Sequence, residues 1–150
     1  VFVFFTPTDP EIIFSTLKAH NLCKSDVRVS FIQRSELPKY LSASSISIFF
    51  IKNTFSKKAS SPTKHAELMG LGIPVIANYG IGDIDTIIEN TKTGQLINMN
   101  DSQSIIKVIK SLSDLAKIDK AMIRAKGRAI YSLSIGCESY ENIYSKIIKN

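Results

Sequence analysis

Ser61-Pro62-Thr63-Lys64-His65-Ala66-Glu67-Leu68-Met69-Gly70-Leu71-Gly72-Ile73-Pro74-Val75-Ile76-Ala77 is the stretch that decides the fold. Ser61 reads as an N-cap and Pro62 as the first helical residue, where the missing proline N–H would be unpaired anyway. Ala66, Met69 and Ile73 are core-spaced, Gly70 permits close helix–sheet packing, and Gly72 suits a left-handed residue just past the helix end. From Ile73 the period changes to that of a continuous apolar strand. A helix over 62–71 therefore runs directly into a buried strand over 73–77.

The same alternation extends in both directions. Short runs rich in Val, Ile and Phe lie at 1–5, 27–32, 46–51 and 95–98, with helical patterns at 10–20, 35–42 and 83–89. Non-alternating strands separated by helices predict a parallel sheet covered on both faces. Right-handed crossovers then give a doubly wound, Rossmann-like α/β layer. After Asn98 the pattern is helical, with segments beginning near Ile105, Asp114 and Glu138. No linker, repeat or second composition regime is visible, so residues 1–150 read as one domain.

Composition narrows the class further. The chain has 150 residues, 44% apolar and 21% charged, which is too apolar for intrinsic disorder. Cys23 and Cys137 stand far apart without a CxxC, so neither a disulfide framework nor a zinc cluster is expected. No apolar run approaches the roughly 20 residues of a membrane helix. Val1-Phe2-Val3-Phe4-Phe5 has no basic stretch before it and is not a signal peptide; it reads as a strand entered midway, as in a piece of a longer protein. The net charge is +6, and residues 101–150 hold 9 basic and 5 acidic side chains, the larger part of the excess. Without a helix-turn-helix, zinc or aromatic stacking pattern, this reads as a solvated helical face and not as a nucleic-acid surface.

The ligand side of such a fold lies beyond the carboxyl ends of the strands. That places 6–10, 33–34, 52–63 and 78–83 in view. Between Lys52 and Ala66 there are four lysines and no carboxylate. A helix N-terminus here offers unpaired N–H groups and the positive end of the macrodipole. Ser60, Ser61 and Thr63 can add hydroxyls, and Lys57, Lys58 and Lys64 add charge, which together suit a phosphate or diphosphate. The same pattern also reads as an ordinary capped helix after a lysine-bearing loop, and it is not a P-loop. Glu67 falls one turn further on, where a carboxylate could accept from a ribose diol or pair with Lys64. His65 reads as a helix-face residue. Asp83 reads as the cap of the helix it precedes, whereas Asn78 and Gly80, at the carboxyl end of the fourth strand, are better placed to meet a sugar. No catalytic residue can be assigned.

Residues 56–78 resemble the donor-site segment of the family 4 (group 1) glycosyltransferases, in which a helix carrying E-A-M-A-x-G-x-P-V-I runs into the next strand. Gly80-Ile81-Gly82-Asp83, Ile87-Ile88-Glu89 and Thr93-Gly94-Gln95-Leu96-Ile97 are similar to that family's Gly-rich turn, short helix and following strand, and Glu36-Leu37-Pro38-Lys39-Tyr40-Leu41 to its ELxxYL stretch. The similarity covers most of residues 27–98. It implies the nucleotide-sugar-binding half of a two-domain GT-B enzyme, transferring sugar to a glycan or lipid-linked acceptor held by the other half, without a metal or other cofactor.

It also implies residue roles. Glu67 would bind the ribose hydroxyls, backbone at residues 60–63 would meet the diphosphate, and Gln33-Arg34 would pack on the base. A cytoplasmic location, at most peripheral to the membrane, and a part in polysaccharide biosynthesis follow from the same resemblance. Two departures stand out: Ala59 occupies the position of the first Glu in the family's E-x7-E motif, and there is no clear equivalent of the R-x4-K pair from the beginning of that domain, as expected if the chain begins after it. An epimerase on the same scaffold, or a non-catalytic nucleotide-binding module, remains the alternative. A receiver-like module does not fit, because Thr6-Pro7-Thr8 and Lys52-Asn53 stand where its acidic residues would be.

Overall fold

A computed structural model describes residues 1–148 as an α/β protein with parallel sheets flanked by helices. Its contacts divide the chain into two compact units, residues 1–40 and 41–150. The first holds β1 (Phe2–Phe5), α1 (Pro10–Ala19) and β2 (Val27–Ser30), the strands pairing in parallel from Phe2 opposite Val27 to Phe5 opposite Ser30. Asp9 caps α1 by accepting from the Glu11 N–H at 3.0 Å, and Pro10 opens it. The boundary between the units falls inside α2 (Leu37–Leu41).

The second unit carries a three-stranded parallel sheet in the order β3 (Ser47–Ile48), β4 (Val75–Asn78), β5 (Gly94–Ile97). The crossovers are α3 (Thr63–Leu71) and α4 (Ile84–Thr91). β4 is buried along its whole length because both of its faces are covered. Val75 and Ala77 face Leu68, Ile84 and Ile88, while Ile76 packs with Ile97, Val108 and Leu115 on the other side. The helices after β5 are α5 (Ser102–Lys110), α6 (Leu112–Leu115), α7 (Lys120–Tyr131) and α8 (Leu133–Ile148). No described helix is long and apolar enough to cross a membrane.

Several expectations change. Every strand pairing is parallel, as the apolar runs predict, but the pairings fall in two sheets, one in each unit. β1 is not covered on both faces: Phe2 is 60% exposed and Val3 and Phe4 are also exposed, because the first unit has only one helix and a short 3₁₀ turn to offer. β3 is two residues long where six were expected. Pairing continues to Phe49, whose N–H donates to the Ile76 carbonyl at 3.1 Å, and the Asn78 side chain then takes over from the backbone ladder at Ile51. The helix expected from Asp114 is broken at 116–119, where Asp119 caps α7 by accepting from the Ala121 and Met122 N–H groups. The last helix starts at Leu133, ahead of Glu138.

The basic face of the C-terminal helices is also not simply solvated. Lys126 donates to the Thr91 carbonyl at the end of α4, and Arg124 to the Leu71 carbonyl at the end of α3. Cations placed there satisfy orphan carbonyls and oppose the negative ends of both helix dipoles. Part of the positive charge is thus spent on holding α7 against two helix termini. Cys23 and Cys137 are both free and exposed.

Candidate functional site

An open cleft of about 540 Å³ lies at the carboxyl ends of β3, β4 and β5, in the second unit. Its walls are the three segments that leave those strands: residues 50–53, 78–80 and 97–100. Lys52 is its cation, Asn53, Asn98 and Asn100 supply amide groups, and Phe50, Tyr79 and Met99 supply exposed apolar surface. Amide donors and acceptors beside aromatic faces suit a polyhydroxylated guest, since each hydroxyl both donates and accepts.

Asn78 and Gly80 both line this cleft. The Asn78 amide is already committed, accepting from the Ile51 N–H at 2.8 Å and donating to the Ile51 and Tyr79 carbonyls at 3.0 and 3.2 Å. It is a strut that holds the end of β3 against β4. Gly80 adopts φ +86°, and its N–H donates to Asp85 Oδ2 at 2.9 Å. The Asn53 amide packs so closely on it that a Cβ there would lie 2.5 Å from Nδ2.

The turn after β4 links the cleft to the start of α3. Gly82, at φ +53°, sits directly on the Ser60 carbonyl, where any side chain would collide with backbone. Ser60 is therefore held from two sides, because its hydroxyl also donates to the Lys57 carbonyl at 3.0 Å. Its proton is used within the loop. Lys57 and Lys58 lie exposed on a 3₁₀ turn, Phe55–Ala59, where an irregular loop was expected.

Ser61 is not the N-cap. α3 begins at Thr63 and Pro62 occupies the cap position, with ψ 114° and no side-chain cap bond. The reason is geometric: the extended ψ of Pro62 carries the chain into the helix one residue later than the proline rule places it. The His65 N–H bonds the Pro62 carbonyl at 2.9 Å, so the Thr63 and Lys64 N–H groups are the ones the first turn leaves without intrahelical partners. Thr63 and Lys64 are exposed there, and Glu67 is exposed one turn on. Gln33 and Arg34 belong to the first unit, just past β2, where the Gln33 carbonyl accepts from the Glu36 and Leu37 N–H groups. Gly70 has open space where a Cβ would be, so it closes no helix–sheet contact; Gly127 of α7, pressed on Met69, does that work between helices. Gly72 does take the left-handed conformation, φ 74°, and ends α3.

His65 is the larger surprise. Its side chain is 0% exposed and faces inward with Leu68 and Met69. Nδ1 lies 3.1 Å from the Tyr131 hydroxyl, the rings meet edge to face, and Nε2 has no partner among the described residues. Burial pushes its pKa down to about 4, against a smaller upward pull from Asp83. Tyr131 is pushed up by burial and by the Asp83 charge, so its hydroxyl keeps its proton. Asp83 precedes α4 but makes no side-chain cap bond. The carboxylate that does organise this turn is Asp85, through Gly80, and its Oδ1 is buried without a partner among the described residues.

Sequence reasoning missed Asn53, Asn98 and Asn100. The rule that led to the other strand ends, applied also to the fifth strand, would have found the last two. Among the described residues no three His, Cys, Asp or Glu side chains are grouped so that they could hold a metal.

The architecture is that of an α/β domain with an open cleft outside the carboxyl ends of parallel strands. Residues 9–114 match the family model of the group 1 glycosyl transferases, and the chain belongs to that family. Glycosyl transfer is the chemistry that family defines. No curated protein matches the chain.

Proposed function

We propose that this chain binds the nucleotide-diphosphate sugar of a glycosyl transfer reaction, the sugar lying in the cleft and the diphosphate at the first turn of α3. The acceptor, a glycan or lipid-linked sugar, is held by another part of the enzyme. The observation that carries this reading is the Gly80–Gly82 turn. It lines the cleft at one end and rests on Ser60, just before α3, at the other, so one ligand can span both. Thr63 and Lys64 offer N–H groups without intrahelical partners, and Lys57, Lys58 and Lys64 offer charge, all of which favour an anion. Ser61 can add a hydroxyl, whereas Ser60 adds little as a donor because its proton is used within the loop. Glu67 accepts from the ribose hydroxyls. Ala59 leaves the transferred sugar without one carboxylate contact, so the amides of the cleft carry its recognition.

The test is a panel of UDP-, GDP-, CMP- and ADP-sugars, with EDTA present because the reading needs no resident metal. A ligand at 100 times its Kd stabilises the folded state by about 2.7 kcal/mol. For a chain of this size that raises the melting temperature by roughly 5–10 °C. Glu67→Ala should abolish the rise for the nucleotide that gives it. No rise with any member of the panel at millimolar concentration refutes the reading.

A further inference from the structure

The polar groups of the cleft at the carboxyl ends of β3, β4 and β5 are unevenly divided between donors and acceptors. Most of its acceptors are committed inside the protein. The Ile51 and Tyr79 carbonyls both accept from Asn78 Nδ2, and Asn78 Oδ1 accepts from the Ile51 N–H. The Ile97 carbonyl accepts from the Tyr79 N–H at 3.2 Å, and the Asn98 carbonyl from the Asp101 N–H at 3.0 Å. The Asn98 side-chain oxygen is used as well, by the Asn100 N–H at 3.1 Å, which orients that amide and leaves Nδ2 over as a donor. Asn53 and Asn100 each add an amide, and Lys52 adds an ammonium with its three donors. Lys52 is exposed and pairs with no described residue.

Charge has the same sense. Among the described residues that line the cleft, Lys52 is the only charged one, and no carboxylate lines it. Asp83, Asp85 and Asp101 follow the lining segments but stand outside the lining. Asp85 and Asp101 are turned to the Gly80 and Gln103 N–H groups, at 2.9 Å each. A guest made only of hydroxyls uses this arrangement poorly, since each hydroxyl brings a proton that needs an acceptor. A carboxylate brings acceptors alone, about four lone-pair sites, and a charge that the ammonium complements. Phe50 and Tyr79, 47% and 44% exposed, offer apolar surface beside these donors for the body of a sugar ring.

We propose that the cleft selects a donor whose sugar bears a carboxylate, a hexuronic acid or a related sugar acid, with Lys52 as the residue that reads the charge. This rests on the reading that the sugar of a nucleotide-diphosphate donor lies in the cleft. Lys52 meets the carboxylate, and the amides of Asn53, Asn98 and Asn100 serve the remaining oxygens. Phosphate oxygens share this chemistry, so the test separates a charge on the sugar from the diphosphate that every donor carries.

Calorimetric titrations compare UDP-glucose with UDP-glucuronic acid and GDP-mannose with GDP-mannuronic acid, with free UDP and GDP as references. UDP-N-acetylglucosamine serves as an uncharged guest with an added acceptor. In the series that binds, the acid should bind about fivefold more tightly than its neutral counterpart, the upper end for a solvent-exposed charge pair. The preference should shrink as salt is added. Lys52→Gln removes the charge from an exposed side chain without a partner, so it should melt with the parent and lose the preference. A Lys52→Gln loss that falls equally on free nucleotide, neutral sugar and acid places Lys52 at the diphosphate and overturns the proposal. Equal affinity of the parent for acid and neutral sugar does the same, as does a preference for the acid that survives Lys52→Gln. UDP-N-acetylglucosamine bound as tightly as UDP-glucuronic acid also overturns it, because the site would then read acceptors and not charge. In each of these cases a nucleotide still binds, and the donor reading stands. A parent that binds none of the probes overturns the donor reading and this one with it.

Discussion

Gly82→Ala should lower the melting temperature by roughly 6–12 °C, whereas Gly70→Ala, twelve residues away, should raise it by a few degrees. Two costs add at Gly82. Its φ of +53° is left-handed, which costs an alanine about 1–2 kcal/mol. The new methyl also overlaps the Ser60 carbonyl, and backbone cannot swing aside as a flexible side-chain end can. Relief requires the turn after β4 to part from the segment entering α3, bringing the total to about 3 kcal/mol. At about 2–4 °C per kcal/mol for a chain of this length, that gives the stated range. Gly70 is the opposite case. It is helical and exposed, has no positive φ, and a Cβ there meets nothing within 4 Å. Alanine at such a site gains up to about 1 kcal/mol. The two variants also separate in function. Parting the turn from Ser60 disconnects the cleft from the diphosphate end, so Gly82→Ala should lose the nucleotide-induced rise in melting temperature and Gly70→Ala should keep it. Calorimetric melts with and without nucleotide decide the matter, and equal effects of the two substitutions would refute the close contact at Gly82.

That contrast shows where the sequence was legible. Each of Gly70, Gly72, Gly80 and Gly82 could have been a packing or turn glycine. Only Gly72 is settled locally, because it ends a helical period just before an apolar strand. The others depend on what lies opposite: Asn53 for Gly80, Ser60 for Gly82 and nothing for Gly70. The burial of β4 was legible because its run is apolar on both faces and helical patterns stand on either side of it. The same reasoning failed for β1, whose run is equally apolar, because a run reports the capacity for burial and not the supply of covering elements. His65 was legible in principle. It precedes Leu68 and Met69 by three and four residues, the spacing of a single helix face, and its polar identity hid what its position declared. Its partner was not legible, since Tyr131 lies 66 residues away and only the packing of α7 on α3 unites them. The cap of α3 turned on one torsion of Pro62, which proline leaves free. Proline fixes φ and not ψ, so residue preference cannot decide between the cap and the first helical position.

The same buried ring should make the chain sensitive to mild acid. In the folded protein His65 titrates at about 4, and in the unfolded chain at its ordinary 6.5. Between those values the unfolded state binds the proton and the folded state does not, so stability rises with pH across the window. The contribution is fully present above about pH 6.5 and is lost as pH falls toward 4. The difference corresponds to about 3 kcal/mol at most. The physical cause is visible in the site. A protonated ring has two N–H donors; Tyr131 can accept one through its oxygen, and Nε2–H faces no acceptor among the described residues. The Asp83 charge pulls the other way and is too weak to offset the burial. Denaturant unfolding followed by circular dichroism at several pH values from 7.5 to 4 gives the slope directly. His65→Leu should be markedly flatter across that window, so its stability relative to the parent should rise steadily as pH falls below about 6.5, because leucine fills the same buried position and binds no proton. A variant that retains the parent's slope would assign the acid sensitivity elsewhere and remove the case for an uncharged His65 buried behind α3.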